Sequence, residues 1–256
     1  MWRNVRIAIL LFVLATVAQG AWLARARTVE WNETLRVVVY PINADGSQAS
    51  ARYIANLRRE AFEPIEGFFR REGERYRVRL RSPVEVRLAP AVASQPPAAP
   101  FGGGKPEVIF WSLRLRYWAY WNDTHQGARP HVRLFVAYHD PALRPRLPHS
   151  TGLREGMIGV VNAFAREDMD GSNSVVIAHE LLHTFGATDK YDFAGNRPLF
   201  PDGFADPNAQ PLYPQTQAEI MAGRVPISET RADVPAGMDE VAIGAKTARE
   251  INWVKL

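Results

Sequence analysis

The spacing of apolar residues along this chain changes period several times, and each change marks an element. Leu35–Tyr40 (LRVVVY) is a short, valine-rich run. Its length and β-branched content predict a strand buried on both faces. From Ala49 onward Ile54, Leu57, Ala61, Ile65 and Phe68 recur at steps of three and four, which is one face of a helix. Pro64 falls inside that run and either kinks the helix or opens a second one. Tyr76–Leu88 alternates arginine with apolar residues and breaks at Ser82-Pro83, so it predicts one interrupted strand or two short ones. Ala89–Pro106 is rich in proline, alanine and glycine and reads as a surface loop.

Val108–Trp121 has two apolar helical faces, Leu113/Tyr117/Tyr120 and Trp111/Leu115/Trp118. That pattern predicts a helix packed into a core. Val132–Tyr138 and Gly156–Phe164 predict strands, the second a candidate edge strand. Val175–Leu182 predicts a buried helix, with Ser172 or Ser174 as its N-cap and Gly186 as its stop. Lys190–Ala218 is nearly all turn residues, and Met238–Trp253 returns to helical spacing through Val241, Ala245, Ala248 and Ile251. Strands alternating with helices suggest an α/β layer, and 256 residues suffice for one large domain or two small ones.

Residues 1–27 differ from the rest. Arg3 and Arg6 precede an apolar run from Ile7 to Ala18, as in a signal peptide or a membrane anchor. Ala18-Gln19-Gly20 and Ala24-Arg25-Ala26 offer small-residue cleavage sites. Trp2 and Trp22 stand a bilayer's width apart on a helix, about 30 Å, which favours an uncleaved N-terminal hydrophobic helix. Either way the body of the chain is expected outside the cytoplasm, membrane-anchored or secreted/periplasmic.

Composition narrows the chemistry. Apolar residues make up 46% and charged residues 23% of 256, enough for a real core. The net charge is +4, but the arginines are scattered among apolar positions. No nucleic-acid reader motif or basic stripe is present, so no nucleic-acid partner is expected. There is no cysteine, which excludes disulfides, thiolate metal sites and a cysteine nucleophile. No Gly-x-Ser-x-Gly elbow supports a serine hydrolase.

The densest chemistry is His179-Glu180-x-x-His183 on the predicted helix. Positions i and i+4 share a helical face, so both imidazoles can aim at one point at the spacing zinc requires. Glu180 lies one residue on, placed to serve as general base toward a metal-activated water. Beyond Gly186 the chain offers Asp189 as a third ligand, with Asp192 near enough to compete. Three protein ligands and one open position define a catalytic zinc site.

The pattern His179-Glu180-x-x-His183-x-x-Gly186-x-x-Asp189 resembles the metzincin metallopeptidases. The third ligand there is usually histidine, and aspartate at that place resembles the small snapalysin-like bacterial enzymes. Glu219-Ile220-Met221-Ala222-Gly223 is similar to the family's methionine turn, 32 positions after Asp189. The resemblance spans roughly residues 105–254 in its order of elements. It implies a zincin-like α/β (α+β) fold, a twisted mixed sheet with an active-site helix and a C-terminal helix, forming a single catalytic domain over residues 28–256. It also implies Zn2+ held by His179, His183 and Asp189, Glu180 as the catalytic residue, and a peptide or protein substrate. The strand before the zinc helix, Met157–Phe164, would pair with an extended peptide. The family's tyrosine after the turn methionine is replaced by Gly223, leaving Tyr191 or Tyr213 to substitute. The expected function is an extracytoplasmic zinc endopeptidase. The alternatives are a non-catalytic metal-containing scaffold and a zinc hydrolase of a non-peptide amide or ester. A calcium ion held by Asp192, Asp202 and Asp206 is a further, weaker expectation, because their spacing matches no known calcium loop.

Overall fold

A computed structural model describes residues 30–100, 104–154 and 156–254, with isolated positions 2, 6 and 7. The N-terminal hydrophobic helix expected over residues 1–27 lies outside the described residues. Among the described residues, no helix is long and apolar enough to cross a membrane.

The chain folds as a mixed α/β structure around a five-stranded sheet in the order β2-β1-β3-β5-β4. Four strands are parallel: β1 (Leu35–Asn43), β2 (Val84–Leu88), β3 (Val132–His139) and β5 (Ile158–Phe164). The fifth, β4 (Thr151–Leu153), is antiparallel to β5 and forms one edge. In the register, Val37 faces Val86 on one side and Val132 on the other. Parallel sheets are covered on both faces, so their strands read as continuous apolar runs. β1 follows this rule: Val37 and Val39 point into one core while Val38, Tyr40 and Ile42 point into the other.

The larger core lies beneath α1 (Gln48–Asn56), α2 (Glu63–Arg75) and α4 (Asp170–Phe185). The smaller one lies beneath α3 (Lys105–Trp121) alone. A final short helix, α5 (Ala245–Glu250), follows a parallel pairing of Ala218–Glu219 with Val241–Ala242. Pro64 opens α2 at its first turn, where a missing amide costs nothing.

Several expected elements fall differently. Of Tyr76–Leu88, only Val84–Leu88 is strand. Arg77 turns the chain with φ +57°, and Tyr76, Val78 and Leu80 merely cover the core's edge. Gly156–Phe164 is not the edge strand, because β4 flanks it. Ser172 and Ser174 do not cap α4. A 3-10 turn at Glu167–Met169 runs directly into the helix, Met169 occupies the cap, and the Ser172 hydroxyl donates back to the Met169 carbonyl at 2.9 Å. Met238–Trp253 is helical only over Ala245–Glu250, since Val241 serves a strand pair. In α3, Trp111, Leu115 and Ala119 are buried, but Leu113, Tyr117, Tyr120 and Trp121 stay in solvent. The core-helix expectation holds for one of its two faces.

Candidate metal centre and its cleft

The helix that carries the site is pinned at both ends. At its start the Asn173 carboxamide clamps the last residue of β5, accepting from the Phe164 amide and donating to the Phe164 carbonyl. At its end Gly186 adopts φ +107°, a conformation available to glycine at little cost. Its amide donates to Leu182 and His183 carbonyls, and the chain reverses there.

His179 and His183 bring their Nε2 atoms to 3.1 Å from each other. Asp189 Oδ1 lies 3.2 Å from the first and 3.1 Å from the second. Three donors bound tetrahedrally to zinc at about 2.0–2.1 Å would stand about 3.3–3.4 Å apart, so this triangle is close to one face of such a tetrahedron. Asp189 Oδ1 is buried and has no hydrogen bond of good geometry. The two Nδ1 atoms are committed elsewhere, to the Ile220 carbonyl at 2.9 Å and the Ala187 carbonyl at 2.8 Å. A carbonyl can only accept, so each Nδ1 carries a proton, and in the neutral ring each Nε2 is left with its lone pair facing the common centre. Backbone carbonyls holding the far nitrogen in this way are typical of histidine metal ligands.

Glu180 also approaches: one ligand atom from each of His179, Glu180 and His183 lies within 4.8 Å of the others. Asp189 is the better third ligand because its oxygen sits nearly equidistant, just over 3 Å, from both nitrogens. Glu180 is buried with Oε2 unpartnered. Burial pushes its carboxyl up, against the pull of the two imidazoles. Burial would lower His179, but Asp189, Glu180 and the Ile220 carbonyl outweigh it and raise the imidazole. Burial works against the Asp189 charge too, yet the two histidines hold its carboxyl well below the usual range. The pocket therefore favours positive charge, and its donor set fits zinc.

Four further side chains hold this arrangement. Glu219 is fully buried and its Oε2 accepts from the Met221 and Ala222 amides at 2.7 and 3.1 Å. Its Oε1 accepts from the Gly244 amide and the Thr247 hydroxyl. This fixes the turn whose Ile220 carbonyl orients His179. Lys190, buried beside Asp189, donates to Glu250 at 2.8 Å, and Glu250 also accepts from the Thr188 amide and hydroxyl. Residue 189 is thus clamped from both sides by α5. Sequence reading marked the turn but not Glu219, Thr247, Lys190 or Glu250 as positioning groups. The contacts of Glu219 with Gly244 and Thr247, and of Lys190 with Glu250, span 25 to 60 residues, and no local spacing signals them.

A cleft of about 380 Å³ opens beside His179 and Glu180. Its walls are apolar, from Leu147, Phe164, Val175, Val176, Val234 and Pro235, with His149 and Asn162 at the polar end. Tyr191 faces the same charges: burial, then Asp189 and Glu180, push its phenol up to about 12. Tyr213 instead packs edge-on against Phe204. The three expected calcium ligands are engaged separately. Asp192 accepts from the Ala194, Gly195 and Arg197 amides, Asp202 pairs with Lys246, and Asp206 accepts from Asn208.

No family model and no curated protein matches the chain. Among solved structures it is similar to one described as "Structure of a chaperone-substrate complex", at a TM-score of 0.40 and 12% identity. That likeness covers 86% of this chain and 33% of the other, so the chain spans about a third of that protein's length. A likeness this distant carries no argument about function.

Proposed function

We propose that this chain is a zinc-dependent endopeptidase of metzincin-like type, acting outside the cytoplasm. The observation that carries the reading is the triangle of His179 Nε2, His183 Nε2 and Asp189 Oδ1, closed at 3.1–3.2 Å with both Nδ1 protons tied to carbonyls. These three residues would hold Zn2+. The metal supplies Lewis acidity toward a water and toward the scissile carbonyl.

The remaining work belongs to the chain's own groups. Glu180, with an unpartnered oxygen in a buried setting, takes the proton of the attacking water and delivers it to the leaving nitrogen. Its raised affinity for the proton suits both transfers. The protonated Tyr191 phenol, near Asp189 and Glu180 in the field of the site, is the available donor toward developing negative charge on the carbonyl oxygen. β4 is an edge of the sheet and its Gly152 amide donates to the Glu180 carboxyl, so an extended peptide laid along this edge by strand addition would pass the general base. This moves the substrate-pairing role from Met157–Phe164 to Thr151–Leu153. The apolar cleft accepts a hydrophobic side chain next to the cleaved bond. An extracytoplasmic setting rests on the basic start and apolar run of residues 1–27.

Metal analysis of the Glu180→Ala protein, paired with a peptide-library digest, tests the reading. The variant keeps the zinc stoichiometry of the parent and loses about 10²- to 10⁴-fold in cleavage rate. A zinc-loaded variant that still cleaves would overturn the assigned role. A zinc-loaded parent that cuts esters or small amides but no peptide moves the function to non-peptide hydrolysis.

A further inference from the structure

The hairpin that follows Asp189 has a feature the proton transfers do not use. Tyr191–Asp192 pairs antiparallel with Arg197–Pro198, Tyr191 opposite Pro198. Residues two apart on a strand share a face, and Phe193 lies edge-on to Tyr191 with ring centroids 5.3 Å apart. Phe193 is nonetheless 79% exposed. Its turn is well tied. The Asp192 carboxylate accepts from the Ala194, Gly195 and Arg197 amides at 3.0, 2.7 and 3.1 Å, and the Asn196 amide donates to the Asp192 carbonyl. At the base of the hairpin the Leu199 amide donates to the Lys190 carbonyl, and the Lys190 amide to the Met221 carbonyl. A single exposed ring needs no explanation by itself. Here the ring is fixed in water on an ordered turn, one tyrosine away from the candidate metal centre.

We infer that Phe193 and Tyr191 form the shelf that receives the substrate side chain on the N-terminal side of the cleaved bond, and that this shelf selects aromatic or long aliphatic residues there. The inference rests on the peptidase reading. Its direction follows from which groups stand on which side of the centre. The cleft is walled by His179, Glu180 and the earlier part of α4 through Val175 and Val176, whereas His183, Asp189 and Tyr191 take no part in its walls. β4 follows the same line. Ser150, just before it, lines the cleft. Gly152 lies against the Glu180 carbonyl and His183 Cβ, and Arg154, just after the strand, lies against Gly186. A peptide along β4 therefore runs from the cleft, past Glu180, toward the end of α4, from which residues 187–193 continue. Glu180 delivers its proton to the leaving nitrogen, which belongs to the residue after the cleaved bond, so that residue fills the cleft. The carbonyl belongs to the residue before the bond, and Tyr191 is the donor toward its oxygen. That residue lies on the Tyr191 side, where Phe193 offers the apolar surface.

Paired peptides test this. A library digest with the zinc-loaded full-length protein fixes one cleaved sequence. Two pairs of peptides built on it carry Phe or Ala before the bond, and Phe or Ala after it. The parent prefers phenylalanine before the bond by about 10-fold in kcat/KM, the low end of apolar discrimination, as suits an open shelf. Phe193→Ala brings that ratio near one and keeps the parent's ratio for the pair varied after the bond. Phe193→Trp keeps both ratios. An unchanged ratio in Phe193→Ala overturns the shelf. A uniform loss on all peptides also overturns it, because Phe193 then only seats Tyr191. A ratio that changes only for the pair varied after the bond overturns the direction. In these three cases peptides are still cut by the parent, and the peptidase reading stands. A zinc-loaded parent that cuts no peptide overturns that reading and the shelf with it.

Discussion

Asp189 owes its position to residues that bear no signature. Lys190 keeps only 2% of its side chain in water and Glu250 keeps 19%. Removing the carboxylate in Glu250→Ala leaves a buried ammonium with the Thr188 carbonyl as its remaining partner. The expected cost is about 3 kcal/mol, the low end for a broken buried pair, because Glu250 retains some access to solvent. The clamp on Asp189 loosens with it, so zinc affinity falls as well. Chemical denaturation and a competitive zinc titration measure the two losses. The pH dependence has a definite sign. Burial opposes the Glu250 charge, but Lys190 and the Thr188 amide and hydroxyl outweigh it and lower its carboxyl from 4.5. A lowered carboxyl contributes stability that is fully present above its unfolded value of 4.5 and vanishes as pH falls through the lower folded value. The gap between parent and variant therefore stays constant at neutral pH and closes in acid. At this scale the histidine pair was legible because helical spacing is local, and Glu180 with it. Glu250 and the Gly244 and Thr247 contacts of Glu219 were not, since they join chain 25 or more residues apart.

Among elements, the contact of β4 with α4 decides whether the cleft has a substrate edge. Gly152 lies so close to the helix that a Cβ there would stand 2.6 Å from the Glu180 carbonyl oxygen and 2.7 Å from His183 Cβ. Backbone on one side and a proposed ligand on the other leave little room to yield. Gly152→Ala is expected to cost about 1–3 kcal/mol, as overpacking does, and to lower kcat/KM beyond that by displacing the edge strand. Gly67 in α2 provides the contrast. Its Cβ would meet only Arg70 Nη2 at 3.8 Å, so Gly67→Ala stabilises by about 0.5–1 kcal/mol through helix propensity and leaves activity unchanged. Thermal unfolding with parallel kinetics on one peptide distinguishes the two variants. The same elements mark where pattern reading stops. β1 and β3 were legible as dense apolar runs. β4, at three residues, is too short to show a period. The arginine alternation of Tyr76–Leu88 mimicked a strand although its first half only turns around Arg77.

At the scale of the whole molecule, the candidate site is a junction. His179 and His183 belong to α4, which packs on the sheet, while Asp189 belongs to a segment tied to α5 and to the Glu219–Gly223 turn. The Lys190 amide donates to the Met221 carbonyl, and His179 Nδ1 donates to Ile220. Both halves thus meet at one point, and a cation bound there links the C-terminal segment to the sheet. Without it, the junction at this point keeps only the pairing of the two imidazoles with Asp189. A ligand that binds only the folded state stabilises it by RT ln(1 + [L]/Kd), about 2.7 kcal/mol at a hundredfold excess over Kd. For a domain of this size each kcal/mol shifts Tm by roughly 2–4 °C. Chelation is therefore expected to lower Tm by about 5–10 °C, and added zinc to restore it. In His183→Ala the chelator has no effect on Tm, since the shift requires the intact triangle. The Glu180→Ala protein keeps the full shift, because Glu180 is assigned to proton transfer rather than to holding the metal. A calorimetric scan of the three proteins with and without chelator checks this. If Glu180→Ala loses the shift while an Asp189→Ala variant retains it, Glu180 and not Asp189 is the third ligand.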